Sequence, residues 1–358
     1  MKLRLFLFKS LMIMTFCNML LSCSKSTSLS NEPILLSKNT YSPFSDTLVT
    51  PSSSTNSIRL FNFLKENFGQ KIISGVMTLQ SFDETNWLKN NVGKEPALMG
   101  LDFMNVNAGY SWYNDNTPAN DAVTWWNKNG IVAITWHWRD PSRLTKSFYT
   151  KTANKPDGTL FDVSKINDTT STEYDAIISD IDAIAVQLKR LDSLEIPILW
   201  RPLHEAAGKW FWWGAKGAQP CKRLYHVMFD RLVHHHNIKN LIWVWTSEPN
   251  DQEWYPGDDV VDIIGRDIYR TGDHSSYATD FNNLLTTYGD NKILAMSECG
   301  SMPDPDLLVA DQIKWSWFMP WYGNYTRSSV YNSLSLWEKV LNHPYVITLD
   351  EMPSLKQP

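Results

Sequence analysis

Residues 196–205, Ile196-Pro197-Ile198-Leu199-Trp200-Arg201-Pro202-Leu203-His204-Glu205, run an apolar segment into a reactive end. Seven other short apolar runs have the same form: Ile72–Val76, Ala97–Phe103, Ile131–Trp138, Leu241–Thr246, Val261–Tyr269, Ile293–Ser297 and Trp315–Trp321. Most are nearly continuous in Ile, Val, Leu and aromatic residues, which fits parallel strands covered on both faces. Longer amphipathic stretches separate them. The clearest carries Ile177, Ile181, Ile184, Leu188 and Leu191 on one helical face, with Asp175, Asp182, Lys189 and Arg190 opposite. Thr172 with Asp175 reads as its start signal. Further helices are expected from about Lys222 to His236 and from about Ser329 to Asn342. Eight strand–helix alternations predict an α/β protein, a single (β/α)8 TIM barrel over residues 58–350, with no internal repeat and no second domain.

Outside that core, Lys2, Arg4 and Lys9 precede an apolar run from Leu11 to Leu21. The run is too short to span a bilayer and reads as the core of a secretory signal. It ends Leu20-Leu21-Ser22-Cys23, which resembles the bacterial lipoprotein cleavage motif. The expectation is a lipoprotein-type signal over residues 1–22 and a lipidated Cys23; the plainer alternative is an ordinary signal with Cys23 incidental. Nearly half of residues 24–57 are Ser or Thr. Residues 23–57 therefore read as a flexible tether, its later part, from about Asp46, lying against the domain. Residues 351–358 read as a C-terminal tail. The expected location is bacterial, across the inner membrane and lipid-anchored. An acidic cluster that would resemble a surface-export signal does not follow Cys23, which favours a periplasm-facing anchor over the cell surface.

Thirty-three Lys and Arg against 38 Asp and Glu give a formal charge of −5, with no basic surplus to meet phosphates. A nucleic-acid partner is therefore not expected. No Gly-rich phosphate loop occurs, and no cofactor is implied. Seventeen Trp, 14 Tyr and 15 Phe make 13% of the chain. So many flat side chains point to flat ligands such as sugar rings stacking in a cleft. Of four Cys, Cys17 and Cys23 belong to the signal region, and Cys221 and Cys299 are expected as two buried thiols.

In a (β/α)8 barrel, catalytic groups sit where strands end. The fourth strand ends in Glu205 and the seventh in Met296-Ser297-Glu298-Cys299-Gly300. Both carboxylates should meet in one mouth. The third strand ends Trp136-His137-Trp138, the sixth Gly265-Arg266-Asp267-Ile268-Tyr269, and the eighth reaches Trp321. Two carboxyl groups amid hydrogen-bond donors and Trp residues suit glycoside hydrolysis, where one acid protonates the leaving oxygen and a second carboxylate attacks carbon or activates water. Trp210 and Trp213 could desolvate Glu205, and Arg201 or Tyr269 could hold Glu298 ionised. His234-His235-His236 point in different directions on a helix and are not read as a metal site. Glu248 and Asp251 follow the fifth strand and are read either as lining the cleft or, as is usual for loop acids, as solvated; Trp125-Trp126 are read as core.

The string Arg201-Pro202-Leu203-His204-Glu205 with Gly208 and Trp210-Phe211-Trp212-Trp213-Gly214 resembles glycoside hydrolase family 26, as do Asn240-Leu241-Ile242-Trp243-Val244 and Ser297-Glu298. The resemblance covers roughly residues 58–350. It implies Glu205 as acid/base, Glu298 as nucleophile, and His204 in place of the Asn usual in the wider clan, beside the nucleophile and its sugar. It further implies Tyr269 bonded to Glu298, Trp321 under the cleaved sugar, Trp210 near the cleavage point, and His137 and Asp267 on hydroxyls. The implied activity is retaining hydrolysis of β-1,4-mannosidic bonds in β-mannan polysaccharide or manno-oligosaccharide, with the carboxyl groups about 5–5.5 Å apart. Mannobiose release from chain ends and mixed-linkage glucan or β-1,3-xylan cleavage are the alternatives within the family. A non-catalytic sugar-binding lipoprotein is the alternative outside it. The stretch from Pro141 to Thr170 is the candidate loop for closing one end of a cleft.

Overall fold

A computed structural model describes residues 44–357. The signal region, Cys23 and the tether up to residue 43 lie outside those residues. Eight parallel strands form the barrel: β1 (Ile72–Met77), β2 (Leu98–Asp102), β3 (Ile131–Thr135), β4 (Ile198–Arg201), β5 (Leu241–Thr246), β6 (Ile263–Ile268), β7 (Ile293–Cys299) and β8 (Trp317–Pro320). Each pairs with the next, and β1 pairs with both β2 and β8, so the sheet closes. A short β9 (Val346–Ile347), not expected from sequence, pairs with Ile72 and Ile73. It covers the part of β1 that precedes the pairing with β2, which begins at Gly75. Most barrel positions are buried on both faces, which is why the strands read as unbroken apolar runs.

Helices surround the barrel: α1 (Thr55–Asn67), α2 (Asp83–Val92), α3 (Thr117–Asn127), α4 (Thr172–Ser193), α5 (Ala218–Phe229), α6 (Ala278–Tyr288), α7 (Pro305–Asp311), α8 (Asn324–Arg327) and α9 (Leu334–Leu341). The expected alternation breaks between β5 and β6. Only a 3-10 turn, Gln252–Trp254, lies there, because Pro249, Asn250, Pro256 and Gly257 interrupt any longer helix. The helix expected over Ser329–Asn342 is shorter, α9, and the separate α8 precedes that span. Asn332 stands between them, donating to the carbonyls of Gly300 and Tyr325 and accepting from the Met302 N–H at 2.8 Å. The helix expected from Lys222 begins at Ala218 and ends in a π turn over Asp230–His235. The cap of α4 is Ser171, whose hydroxyl accepts from the Tyr174 N–H; Thr172 is already helical.

Contacts with the barrel begin before residue 58. Asp262 accepts the Val49 N–H at 2.8 Å, and the Thr50 hydroxyl donates to the Leu241 carbonyl. They continue past residue 350, where Met352 and Leu355 are buried and Gln357 donates to Asn56. The Trp content also reads differently in place. Trp125, Trp138, Trp200, Trp212, Trp213, Trp243, Trp245, Trp315, Trp317 and Trp337 are all fully buried. Most of the indole surface therefore builds the core, and the large area each buries makes that core cohesive. Cys221 and Cys299 are buried free thiols.

Candidate active site

The carboxyl ends of the strands converge on one mouth. Glu205 follows β4 through a backbone held in the left-handed region at Leu203 (φ 52°) and at Glu205 itself (φ 53°). Two non-glycine residues so close together in that region mark a strained corner, of the kind retained at functional sites. The corner swings Glu205 over the barrel. Glu298 lies in β7 just past a register shift against β6. One oxygen each from Glu205, Glu298 and Asp267 lies within 4.8 Å of the others. The two glutamates, 93 positions apart in sequence, thus face each other at short range.

Their surroundings differ. Glu298 is buried, 3% exposed, and accepts from Arg201 on one oxygen and from the Tyr269 hydroxyl on the other at 2.6 Å. Arg201 also donates to Asp267 at 2.9 Å and to Thr246 at 3.1 Å. Glu205 has one donor, the Trp210 indole N–H at 2.9 Å. Burial, then the charges of Asp267 and Glu248, push the Glu205 carboxyl up to about 8. Burial pushes Glu298 up as well, against the pull of Arg201. Two crowded carboxyl groups cannot both ionise freely, so the pair keeps a proton at neutral pH. The donors decide where it sits: Glu298 has a guanidinium and a hydroxyl, Glu205 only an indole, so the proton resides on Glu205. Burial works against the Arg201 charge, but Asp267 and Glu298 outweigh it and hold the guanidinium protonated.

Trp210 is 40% exposed and Tyr269 42%, so the mouth is open to solvent. The Trp321 ring is part-exposed and stands 5.6 Å from the His137 ring, across the mouth. Trp213 is buried and donates to the His204 carbonyl at 2.9 Å. The β3–α4 loop lies along one wall. Its Thr150 N–H donates to the Trp210 carbonyl, the Trp212 N–H donates back to Phe148, and Tyr149 stacks on Phe211 at 5.3 Å. A hollow of about 510 Å³ beneath this loop, lined by Asp140, Leu144, Lys151, Leu160, Phe161 and Glu173 among others, includes neither catalytic candidate.

Two of the expected sugar contacts are enclosed by protein neighbours. His204 is 0% exposed, its ring nitrogens facing Thr135 and His137 at 3.1 Å each. The Asp267 side chain is likewise 0% exposed, one oxygen held by Arg201 and the other by the Ser297 hydroxyl. It braces the arginine that holds Glu298. His137 stands at the mouth's edge, 8% exposed.

Sequence reasoning passed over Asp102, which ends β2 and accepts from His137 at 2.6 Å; its only signal was an acid at a strand end. For Glu248 the structure favours the cleft-lining reading over the solvated one. It is part-buried, and burial, then the charge of Asp267, raises it to about 7. His234–His236 form no cluster of metal-ligand type; His236 bonds Asp182 at 2.7 Å. Among the described residues the group of acids and histidines close enough to share an ion is Glu205, Asp267 and Glu298. Arg201 already neutralises two of its members.

The model of glycosyl hydrolase family 26 matches residues 49–351. A mannan endo-1,4-β-mannosidase of Thermothelomyces thermophilus is 40% identical over 315 residues, which are 85% of this chain and 63% of that protein. Mannan endo-1,4-β-mannosidase A of Piromyces sp is 33% identical over 327 residues, 88% of this chain and 52% of that protein. The chain thus spans less than two thirds of the length of these curated relatives. A β-mannanase from a symbiotic protist of the termite Reticulitermes speratus, solved with a gluco-manno-oligosaccharide, is 45% identical with a TM-score of 0.83, covering 87% of this chain and 99% of that one. A Podospora anserina β-(1,4)-mannanase is 36% identical with a TM-score of 0.80, covering 89% and 71%.

Proposed function

The chain belongs to glycosyl hydrolase family 26, and from that premise we propose that it hydrolyses β-1,4-mannosidic bonds of mannan, glucomannan or galactomannan with retention of configuration. The observation that carries this is the close approach of Glu205 and Glu298, within 4.8 Å, with unlike donors on each. Inverting hydrolases hold their carboxyl groups about 6.5–9.5 Å apart to admit a water between them; retaining ones need about 5–5.5 Å. In the first step a Glu298 oxygen bonds to the anomeric carbon, the glycosidic bond breaks, and Glu205 gives its proton to the departing oxygen. In the second, ionised Glu205 takes a proton from water, the water oxygen bonds to the same carbon, and Glu298 leaves. Tyr269 and Arg201 orient Glu298, Trp210 orients Glu205, and Trp321 underlies the sugar.

Internal cleavage is favoured because the mouth is open and the named relatives are endo-1,4-β-mannosidases. Time-resolved products from mannohexaose, mixed-linkage glucan and xylan test this, with proton NMR of the first-formed anomer. A spread of β-configured manno-oligosaccharides is expected. Mannobiose as sole early product would replace internal cleavage by chain-end release. Hydrolysis of glucan alone would overturn the substrate and keep the mechanism; binding without turnover would leave only a sugar-binding protein. We also propose that Cys23 carries a lipid anchor facing the periplasm. Its support is the basic, apolar and Ser-Cys order of residues 2–23. Labelled palmitate should enter the wild-type protein and not Cys23→Ala.

A further inference from the structure

Ten tryptophans are fully buried, yet Trp112 is 71% exposed. It follows β2, so it stands on the same face of the barrel as the mouth. A lone exposed ring carries little meaning, but this one is neither lone nor loose. The Tyr113 N–H bonds the Tyr110 carbonyl at 3.2 Å, a tight turn that holds Trp112 near its tip. Tyr110 and Tyr113 flank the indole, their ring centres 5.1 and 5.6 Å away. The rest of the loop is bolted to its neighbours. Arg139 donates to the Met104 carbonyl and to Asn105 at 3.0 Å each, and Lys146 donates to the Ala108 carbonyl. Asn107 donates to Asp115 at 3.0 Å and to Asp180 at 3.2 Å. A water-facing ring held this firmly needs little further ordering when it binds something.

The flat groups also connect. The Arg139 guanidinium lies 5.3 Å from the Tyr110 ring and 5.6 Å from Phe148, stacked between them. Phe148 is 5.0 Å from His137, and His137 is 5.6 Å from Trp321. Trp112 thus ends an unbroken run that starts at Trp321, several ring widths away. In the mechanism above, Trp321 underlies the sugar that bonds to Glu298. The leaving sugar departs from Glu205, whose donor is Trp210. The run sets out from the Trp321 side and ends on the loop after β2. We propose that Trp112 is a distal stacking site for a pyranose ring of the bound polysaccharide, on the glycone side and several sugars from the cleaved bond, so that the enzyme favours long chains. This rests on the hydrolase function above and adds a site to it. A pyranose carries C–H groups on its faces and hydroxyls on its rim; an indole face covers the former and leaves the latter in water. Exposed Ser111, Asn114 and Asn116 beside the ring suit such a hydroxyl-rich ligand better than an apolar protein partner.

Dependence on chain length tests this. The comparison is kcat/KM on mannohexaose against kcat/KM on a nitrophenyl β-mannobioside, which is too short to reach the loop after β2. Their ratio should fall roughly threefold to tenfold in Trp112→Ala, mainly through KM. Trp112→Tyr keeps a ring and should recover most of the loss. Equal losses on both substrates would mean a disturbed fold and would overturn the proposal, as would an unmoved ratio. Mannohexaose labelled with heavy oxygen at its reducing end reads the side. Loss of a glycone contact should shift the cuts toward the non-reducing end, so the labelled products should lengthen. Labelled products that shorten would place Trp112 on the leaving side and overturn its assignment to the glycone. A wild-type enzyme that cleaves no mannan would sink the hydrolase function and this site with it. One that cleaves mannan, with the ratio the same in Trp112→Ala, would sink the site alone.

Discussion

Gly208 lies so close beneath the Trp210 indole that a Cβ there would come within 2.1 Å of the ring. The missing side chain lets the indole lie where its N–H meets Glu205. Gly208→Ala should push Trp210 aside and remove the one donor on Glu205, the proposed acid/base, lowering kcat/KM roughly tenfold, about 1.4 kcal/mol; steady-state kinetics on a manno-oligosaccharide reads it. Glu298→Ala should lose at least about a thousandfold in kcat, since nothing else in the mouth can bond to the anomeric carbon. Glu248 acts at a distance. Its charge is one of those that raise Glu205, and Glu205 works as an acid only while protonated. Glu248→Gln should therefore move the alkaline limb of kcat/KM, expected near pH 8, toward neutrality by roughly half a pH unit. A limb moving the other way would show that Glu248 does not act on Glu205. The two glutamates were legible in the sequence because each ends an apolar run on a strand of predictable place. The surroundings of His204 and Asp267 were not. Whether a histidine or an aspartate meets a sugar or a neighbour depends on groups far away in sequence, Thr135 and His137 for one, Arg201 and Ser297 for the other.

Strands were the easiest elements to read, since burial on both faces writes itself as a continuous apolar run. The span of β5 matches its run to the residue. Strand ends were harder. The third run continues apolar to Trp138, yet β3 stops at Thr135, because the Trp138 N–H turns back to the Trp136 carbonyl at 2.8 Å. That turn places His137 at the mouth and Trp138 against Asp180 of α4. Asp180 is buried and accepts from Trp138 Nε1 at 2.7 Å, from Asn107 at 3.2 Å, and from Arg143. One acid thereby anchors the loops after β2 and β3 to a single helix. Asp180→Ala should strand a guanidinium and an indole N–H, costing about 3 kcal/mol. The β3–α4 loop would then loosen beside Trp210, so KM should rise more than kcat falls. Thermal denaturation and a KM–kcat comparison check both parts. An unchanged KM with a lowered Tm would restrict Asp180 to stability.

At the scale of the whole molecule, the site works against the fold that carries it. Burial raises the proton affinity of the Glu205–Glu298 pair and lifts Glu248 and Asp262 to about 7. The unfolded chain titrates these groups near about 4. Between those limits the folded state binds more protons at these groups than the unfolded one, so the stability they contribute is full below about 4 and is lost as pH rises toward their folded values. This runs opposite to a protein whose acids are mainly ion-paired, and it follows from gathering carboxylates where water is scarce. Asp262 tolerates burial because its two oxygens accept the N–H groups of Val49 and Trp243 at 2.8 Å each, tying the segment before α1 to β5. Glu205 has no such compensation and no cationic hydrogen-bond partner. Glu205→Gln should therefore raise Tm at pH 9 by roughly 2–4 °C and leave it nearly unchanged at pH 5, while abolishing acid catalysis. Scanning calorimetry at the two pH values measures it. An equal gain at both would mean that the relief comes from packing, and that the shared proton between Glu205 and Glu298 is not what sets the pH dependence of this barrel.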